Sequence, residues 1–269
     1  MVVGATLAAV GLAIGCSSGS GSVLKGDPTT IVRRAADRTL ATGSAKVDVT
    51  LGVATGPGLA GGGLVDFAHQ HSDVTLQRTG SAAKTNDRFE LVIDGTFAFL
   101  GGVTPAIAGK TTFISGQLTD VARAAHDRMT PLDNLMVRPG AGLDLALLRG
   151  AQDVLPYGGE EIQGASTFRY SLVVNLALAS ANSPPADRPA LDAANAAIGG
   201  VLEPADVWLD QSGRVRQLQM ASNPKLHTTT TKANLLGITE DGEYLSFIVI
   251  DFSRFGLPAV VTIPSLPGA

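Results

Sequence analysis

Charge and cysteine are what this sequence has least of. Asp, Glu, Lys and Arg make up 16% of its 269 residues, against about 25% in a typical soluble domain. The net charge of −4 gives nucleic acid no electrostatic hold. Aromatics are also sparse, with nine Phe, three Tyr and one Trp. The 45% hydrophobic content therefore rests on Ala, Val, Leu and Ile. Thirty-two Gly and 14 Pro stay below the share of roughly 25–30% that marks a disordered chain. One cysteine excludes an internal disulfide, a Cys-x-x-Cys redox pair and a cysteine-rich zinc site. After Cys16 no apolar run approaches the roughly 20 residues that cross a bilayer.

The position of that cysteine gives it meaning. Residues Met1 to Cys16 read MVVGATLAAVGLAIGC, an uncharged apolar run. It is short for a membrane span and suits the h-region of a signal peptide. Ala13-Ile14-Gly15-Cys16, followed by Ser17-Ser18-Gly19-Ser20-Gly21-Ser22, resembles the lipobox of bacterial lipoproteins. That resemblance implies cleavage between Gly15 and Cys16 and a diacylglyceryl group on the thiol. Ala13 stands where that motif usually has Leu, and no Lys or Arg precedes the apolar run, so we expect a reading frame that begins further upstream. The expected organisation is a signal over 1–15, lipidated Cys16 with a Ser/Gly tether over 16–26, and one domain over 27–269.

Asp27-Pro28 opens a helix as N-cap and N1, with Ile31, Val32, Ala35, Ala36, Thr39 and Leu40 at helical spacing and Gly43 closing it. Strand signals then dominate. Val47, Val49, Leu51 and Val53 alternate with polar residues or glycine. Short strands follow at Leu64–Phe67, Val74–Leu76, Phe89–Ile93, Thr96–Leu100 and Lys110–Ile114. Helices are expected at Leu118–Met129, Leu143–Ala151 and Ala186–Ile198. Between the last two lies the longest strand, Thr167–Leu178. Ala205–Leu209 and Arg214–Met220 form a hairpin about Asp210-Gln211-Ser212-Gly213, and strands at Lys225–Asn234 and Tyr244–Phe252 complete the set. With no βαβ alternation, the expected class is α+β with one large antiparallel sheet of about ten or eleven strands.

Two further stretches carry a family resemblance. Glu160 to Tyr170 reads E-x-x-x-G-x-x-T-x-x-Y, and Val207-Trp208-Leu209-Asp210 precedes Gly213-Arg214-Val215. With the lipobox and the order of elements, they resemble the LppX/LprA/LprF/LprG lipoproteins of the mycobacterial envelope, related in fold to the LolA/LolB carriers. The resemblance implies a half-barrel: a strongly bent antiparallel sheet wrapped around helices, with an apolar cavity for acyl chains of a lipid or glycolipid. It implies a lipid-anchored protein on the extracytoplasmic face of the cell membrane, working with a transport partner of unspecified identity. The alternative is a non-transporting envelope lipoprotein of the same fold, acting in partner binding or signalling. The strand faces expected to line the cavity carry Val49, Leu51, Val74, Leu76, Phe89 and Leu91 in the first half. Phe168, Tyr170, Leu172, Val174, Val207 and Leu209 do so in the second. Ordinary core is the competing role for each.

No enzyme chemistry, metal or cofactor is expected. Gly15-Cys16-Ser17-Ser18-Gly19 matches G-x-S-x-G, but that elbow needs a strand before it and a helix after it. His69 and His71 share a strand face and could supply half a metal site, or simply face solvent. Glu160 and Glu161 would point to opposite faces of a strand. Trp208 reads as core before sugar platform, and Arg33-Arg34 as a solvated helix face before a headgroup contact.

Overall fold

In a computed structural model, the residues described are 24–53, 58–79, 88–94, 97–102, 112–114, 141–197, 202–222, 246–258, 260 and 261. Cys16, the expected helix at Leu118–Met129 and the expected strand at Lys225–Asn234 lie outside them.

Helix α1 (Pro28–Leu40) begins where the capping chemistry places it. Asp27 is extended, and its carboxylate accepts the backbone N–H of Thr30 at 2.8 Å and the Thr30 hydroxyl at 2.7 Å. Ile31, Val32, Ala35, Ala36 and Thr39 form the buried stripe. Gly43 then turns the chain at a φ of 78°, a left-handed value that glycine adopts without strain. Its carbonyl accepts the N–H of Phe67 at 2.8 Å.

Six strands follow as a meander: β1 (Ser44–Val53), β2 (Gly58–Asp66), β3 (His71–Thr79), β4 (Arg88–Asp94), β5 (Phe97–Gly102) and β6 (Thr112–Ile114). After α2 (Ala141–Leu147) and a 3₁₀ turn (Leu148–Gly150) come β7 (Ala151–Ile162) and β8 (Ala165–Asn175). Helices α3 (Leu176–Ala181) and α4 (Arg188–Ala197) lead to β9 (Leu202–Asp210), β10 (Val215–Ser222) and β11 (Ser246–Ser253). The strand order is β6-β5-β4-β3-β2-β1-β11-β10-β9-β8-β7. Every neighbour is antiparallel, and β1 with β11 is the only adjacent pair distant in sequence.

The half-barrel expectation is corrected here. The sheet is open, with β6 and β7 at its two ends and no ladder joining them. Described side chains lie on eight of its strands, β1–β3 and β7–β11. Among the described residues the helices gather over one end, α1 against β7 and β10 and α3 against β8, instead of lying inside a wrapped sheet. Among the described residues, those beneath the helices belong to one hydrophobic cluster. The half-barrel that the resemblance implies does not form because edges decide closure. β6 has three residues, and β7 carries Pro156 and register breaks at Gln152/Leu155 and Pro156/Gly158. Such edges are poor partners for each other.

Three local differences share a cause. The strand expected to reach Leu178 stops at Asn175, whose side chain caps α3 by accepting the N–H of Leu178 at 3.0 Å. The helix expected through Ala151 tightens into the 3₁₀ turn and ends at Gly150. There a Cβ would lie 2.1 Å from the Asn175 carbonyl oxygen. No strand is expected from the sequence where β7 lies, a stretch that holds a proline and paired glycines. In each case tertiary packing overrode the local pattern.

β2 shows how closely the sheet is drawn together. A Cβ on Gly63 would sit 1.8 Å from the Asp73 carbonyl oxygen of β3. Overpacking of this kind costs about 1–3 kcal/mol. Gly63→Ala should therefore lower the urea midpoint by that equivalent without changing the slope. An unchanged midpoint would mean that β2 and β3 lie further apart.

Candidate functional site

Cross-strand register gathers distant residues into rows on one face. Leu76, Gly61, Val49, Ile250, Leu218, Val207, Tyr170 and Pro156 are successive partners from β3 to β7. Phe89 extends this row on β4 by pairing with Leu76. A second row runs through Leu91, Val74, Gly63, Val47 and Phe252, with Leu209 opposite Phe168 beyond the β10 bulge. Leu51, Ile248, Met220, Ala205 and Leu172 make a third, and Val174 lies two residues beyond Leu172. The register thus brings every expected lining position to the same face. Tyr170, Val174, Val207, Leu76, Leu172 and Leu209 are all but fully buried, Val74 and Phe168 are buried, and Val49 packs half-buried against them. The side chains of Leu51, Phe89 and Leu91 lie outside the described ones, as do Gly15 and Cys16 entirely.

What covers this face at the β7–β10 end is equally apolar. Val32, Ala35 and Ala36 of α1, Leu145 of α2, Leu148 of the 3₁₀ turn and Ala179 of α3 join the strand residues in one cluster. No carboxylate, amine or guanidinium enters the rows, so the arrangement can shield hydrocarbon from water. Tyr170 is the one polar atom in the first row. Its hydroxyl is buried without a hydrogen-bond partner and faces the backbone of Leu24. Burial pushes the phenol above its ordinary 10.0, with an opposing pull from the Leu24 backbone. Leu24 itself packs against the core.

The opposite face is polar and tightly paired. Arg169 donates to Asp206 at 2.9 Å and stands 3.7 Å from Glu160. Its guanidinium lies between the rings of Tyr157 at 4.9 Å and Trp208 at 5.1 Å. Burial opposes the Arg169 charge, and the bond to Asp206 outweighs it. The Ser171 hydroxyl donates to the second oxygen of Asp206. Trp208 is 5% exposed, and its Nε1 donates to Glu160 at 2.8 Å. It is held in the structure and offers no open stacking surface.

Sequence reasoning missed a cationic knot under the helices. Buried Arg149 reaches Asp37 of α1 at 2.9 Å, Asp187 before α4 at 2.8 Å and the Ser183 hydroxyl at 3.1 Å. An arginine within the apolar stretch Leu143–Ala151 was its only signal. Arg33 is also more engaged than a solvated residue, donating to the Ala151 carbonyl at 2.9 and 3.1 Å. His69 is 70% exposed at its side chain and bonds Asp66 at 2.7 Å, its ring 5.8 Å from that of His71. Among the described residues no group of three or more His, Cys, Asp or Glu could hold a metal ion.

No protein-family model matches the chain, and no curated protein matches its sequence. Among solved structures it is similar to the lipoprotein LppX of Mycobacterium tuberculosis, at 15% identity and a TM-score of 0.47 over 88% of this chain and 100% of that one. It is similar to LprF of Mycobacterium bovis at 14% identity and a TM-score of 0.45, over 88% and 96%. A LolA superfamily protein of Nitrosomonas europaea aligns at 11% identity and a TM-score of 0.29, over 88% and 96%. The likeness is to a group of folds and singles out no member.

The β9–β10 turn holds Val207 and Leu209 in place through Asp210. Its carboxylate accepts from the Ser212 N–H and hydroxyl, and from the Arg214 N–H and guanidinium, at 2.6 to 3.0 Å. Burial pushes Asp210 up, but these donors outweigh it and hold its pKa below the ordinary 3.8. A carboxylate depressed on folding stabilises fully above 3.8, and that contribution is lost as pH falls through the folded value. Asp210→Asn should cost about 1–3 kcal/mol at pH 7, measured by urea unfolding, and the deficit should shrink below pH 4. A deficit independent of pH would contradict the charged role.

Proposed function

We propose that the chain is a membrane-anchored envelope lipoprotein that holds acyl chains of a lipid or glycolipid against the apolar face of its sheet. In this reading Cys16 carries the anchor after cleavage behind Gly15, on the extracytoplasmic face of the cell membrane. The domain over 27–269 carries or presents the lipid within the envelope. No reaction and no cofactor are assigned to it.

The observation that carries this reading is the unbroken apolar row from Leu76 to Tyr170. At about 4.8 Å per strand its six steps extend roughly 29 Å. One leaflet's acyl chains span about 15 Å, half of the hydrocarbon core. The row therefore offers room for at least one chain. At the end that the helices cover, a chain reaches the face when that cover parts from the sheet. Burial of a CH₂ is worth about 0.8 kcal/mol relative to water, but the bilayer already supplies that. Affinity is then set by the cost of opening, which suits reversible carriage.

A second reading has its own support. The solid packing of β8–β10 under α1 and α3 favours a non-transporting envelope lipoprotein that binds a partner or signals. Mass spectrometry of the protein gently extracted from membranes separates the two. The carrier reading expects a retained lipid beside the covalent anchor, and palmitate incorporation that disappears in Cys16→Ala. Apo protein throughout would leave the second reading.

A further inference from the structure

β7 departs from the pattern of its sheet. Leu155, Pro156 and Tyr157 are consecutive and exposed, Leu155 at 60% and Tyr157 at 61%. Three exposed apolar residues in a row are a fault in a soluble surface unless something meets them. They lie at the end of the strand order, where an apolar edge invites association. A further protein strand is a poor fit, because the register breaks on both sides of Pro156 and proline has no N–H to offer a ladder. Tyr157 stands on the Arg169 guanidinium, with exposed Asp153, Glu160 and Glu161 bounding the patch.

We infer that Leu155, Pro156 and Tyr157 dock on the lipid surface, a second membrane contact beside the anchor at Cys16. This rests on the lipid anchor proposed above. Position selects the occupant. Pro156 is the cross-strand partner of Tyr170, whose hydroxyl faces Leu24. Helix α1, which Leu24 leads into, is tied to the start of β7 by the bonds from Arg33 to Ala151. Leu24 lies eight positions after Cys16, and such a length spans at most about 28 Å in any conformation. An acylated Cys16 therefore holds this end of the molecule near the bilayer. Tyrosine favours the membrane interface, its ring among acyl chains and its hydroxyl among headgroups. The contact sets orientation: it turns the Tyr170 end of the apolar row toward the membrane from which lipid would come.

The test uses the full acylated chain in phosphatidylcholine vesicles. Acylation consumes the Cys16 thiol, so Tyr157→Cys takes a single environment-sensitive fluorophore, quenched by lipids carrying a doxyl group on the acyl chain. Leu257→Cys is the control. Leu257 is exposed, and its carbonyl accepts from Ser44 just past the far end of α1, a helix about 20 Å long. The expected result is loss of emission at 157 and none at 257. Equal emission at both positions in protein that mass spectrometry shows to be acylated overturns the docking and leaves the anchor standing. An unacylated Cys16 overturns both. Disulfide-linked dimers through position 157 would put a second copy on the patch and also overturn it.

Discussion

The pairing of β1 with β11 is the constraint on which the rest of the molecule depends. Without it the chain is two separate meanders, β1–β6 and β7–β11, each with half of every apolar row. Val47 with Phe252, Val49 with Ile250 and Leu51 with Ile248 join those halves. The same ladder sets Asp48 opposite Asp251 on the other face, an unfavourable pair of like charges. Lys46 answers Asp48 at 3.0 Å and Gln217 donates to Asp251 at 2.6 Å. Burial still pushes the Asp251 carboxyl up, with the Asp48 charge adding to it. Apolar pairing on one face thus outweighs a charge conflict on the other. A contact between chain ends is slow to form and must be well rewarded.

The helices depend on a second, smaller constraint. Arg149 joins α1, the 3₁₀ turn and the approach to α4 through two carboxylates. Its carbonyl accepts from the Asn182 side chain at 3.0 Å. A buried arginine gains little net stability from such pairing, but leaving either carboxylate or guanidinium alone would cost several times more. The knot therefore dictates where the cover sits, and any opening of the apolar face must respect it. The cover would most readily part elsewhere, away from Arg149.

The sequence was legible where one residue type decides the local outcome. Asp27-Pro28 marked the start of α1, alternation marked β1 and β8, and Asp210 to Gly213 marked the β9–β10 turn. That those apolar positions share a face was legible too, since period-2 alternation assigns a face whatever the strand order. β7 was not legible, because Pro156, Gly158 and Gly159 resemble a loop until β8 supplies a partner. Openness was not legible either, since it depends on how two distant edges compare. The half-barrel was implied by the family resemblance, and a resemblance in motifs and element order carries no information about edges. Cys16 is the reverse case: its meaning lies wholly in the sequence around it.

Scant charge and an apolar face that runs across the described strands are then parts of one design, to which the lipid anchor proposed at Cys16 would belong. Arg169, Asp206, Asp48 and Asp251 lie on the face opposite the apolar rows, and none of those rows carries an ionised residue. The most direct test of that claim is photo-crosslinking with a fatty acid carrying a diazirine on its chain, followed by peptide mapping. The account predicts adducts on strands contributing to the apolar row, at Val49, Leu76, Val207 or Tyr170. Adducts confined to the β7 edge or the polar face, or none at all, would contradict it.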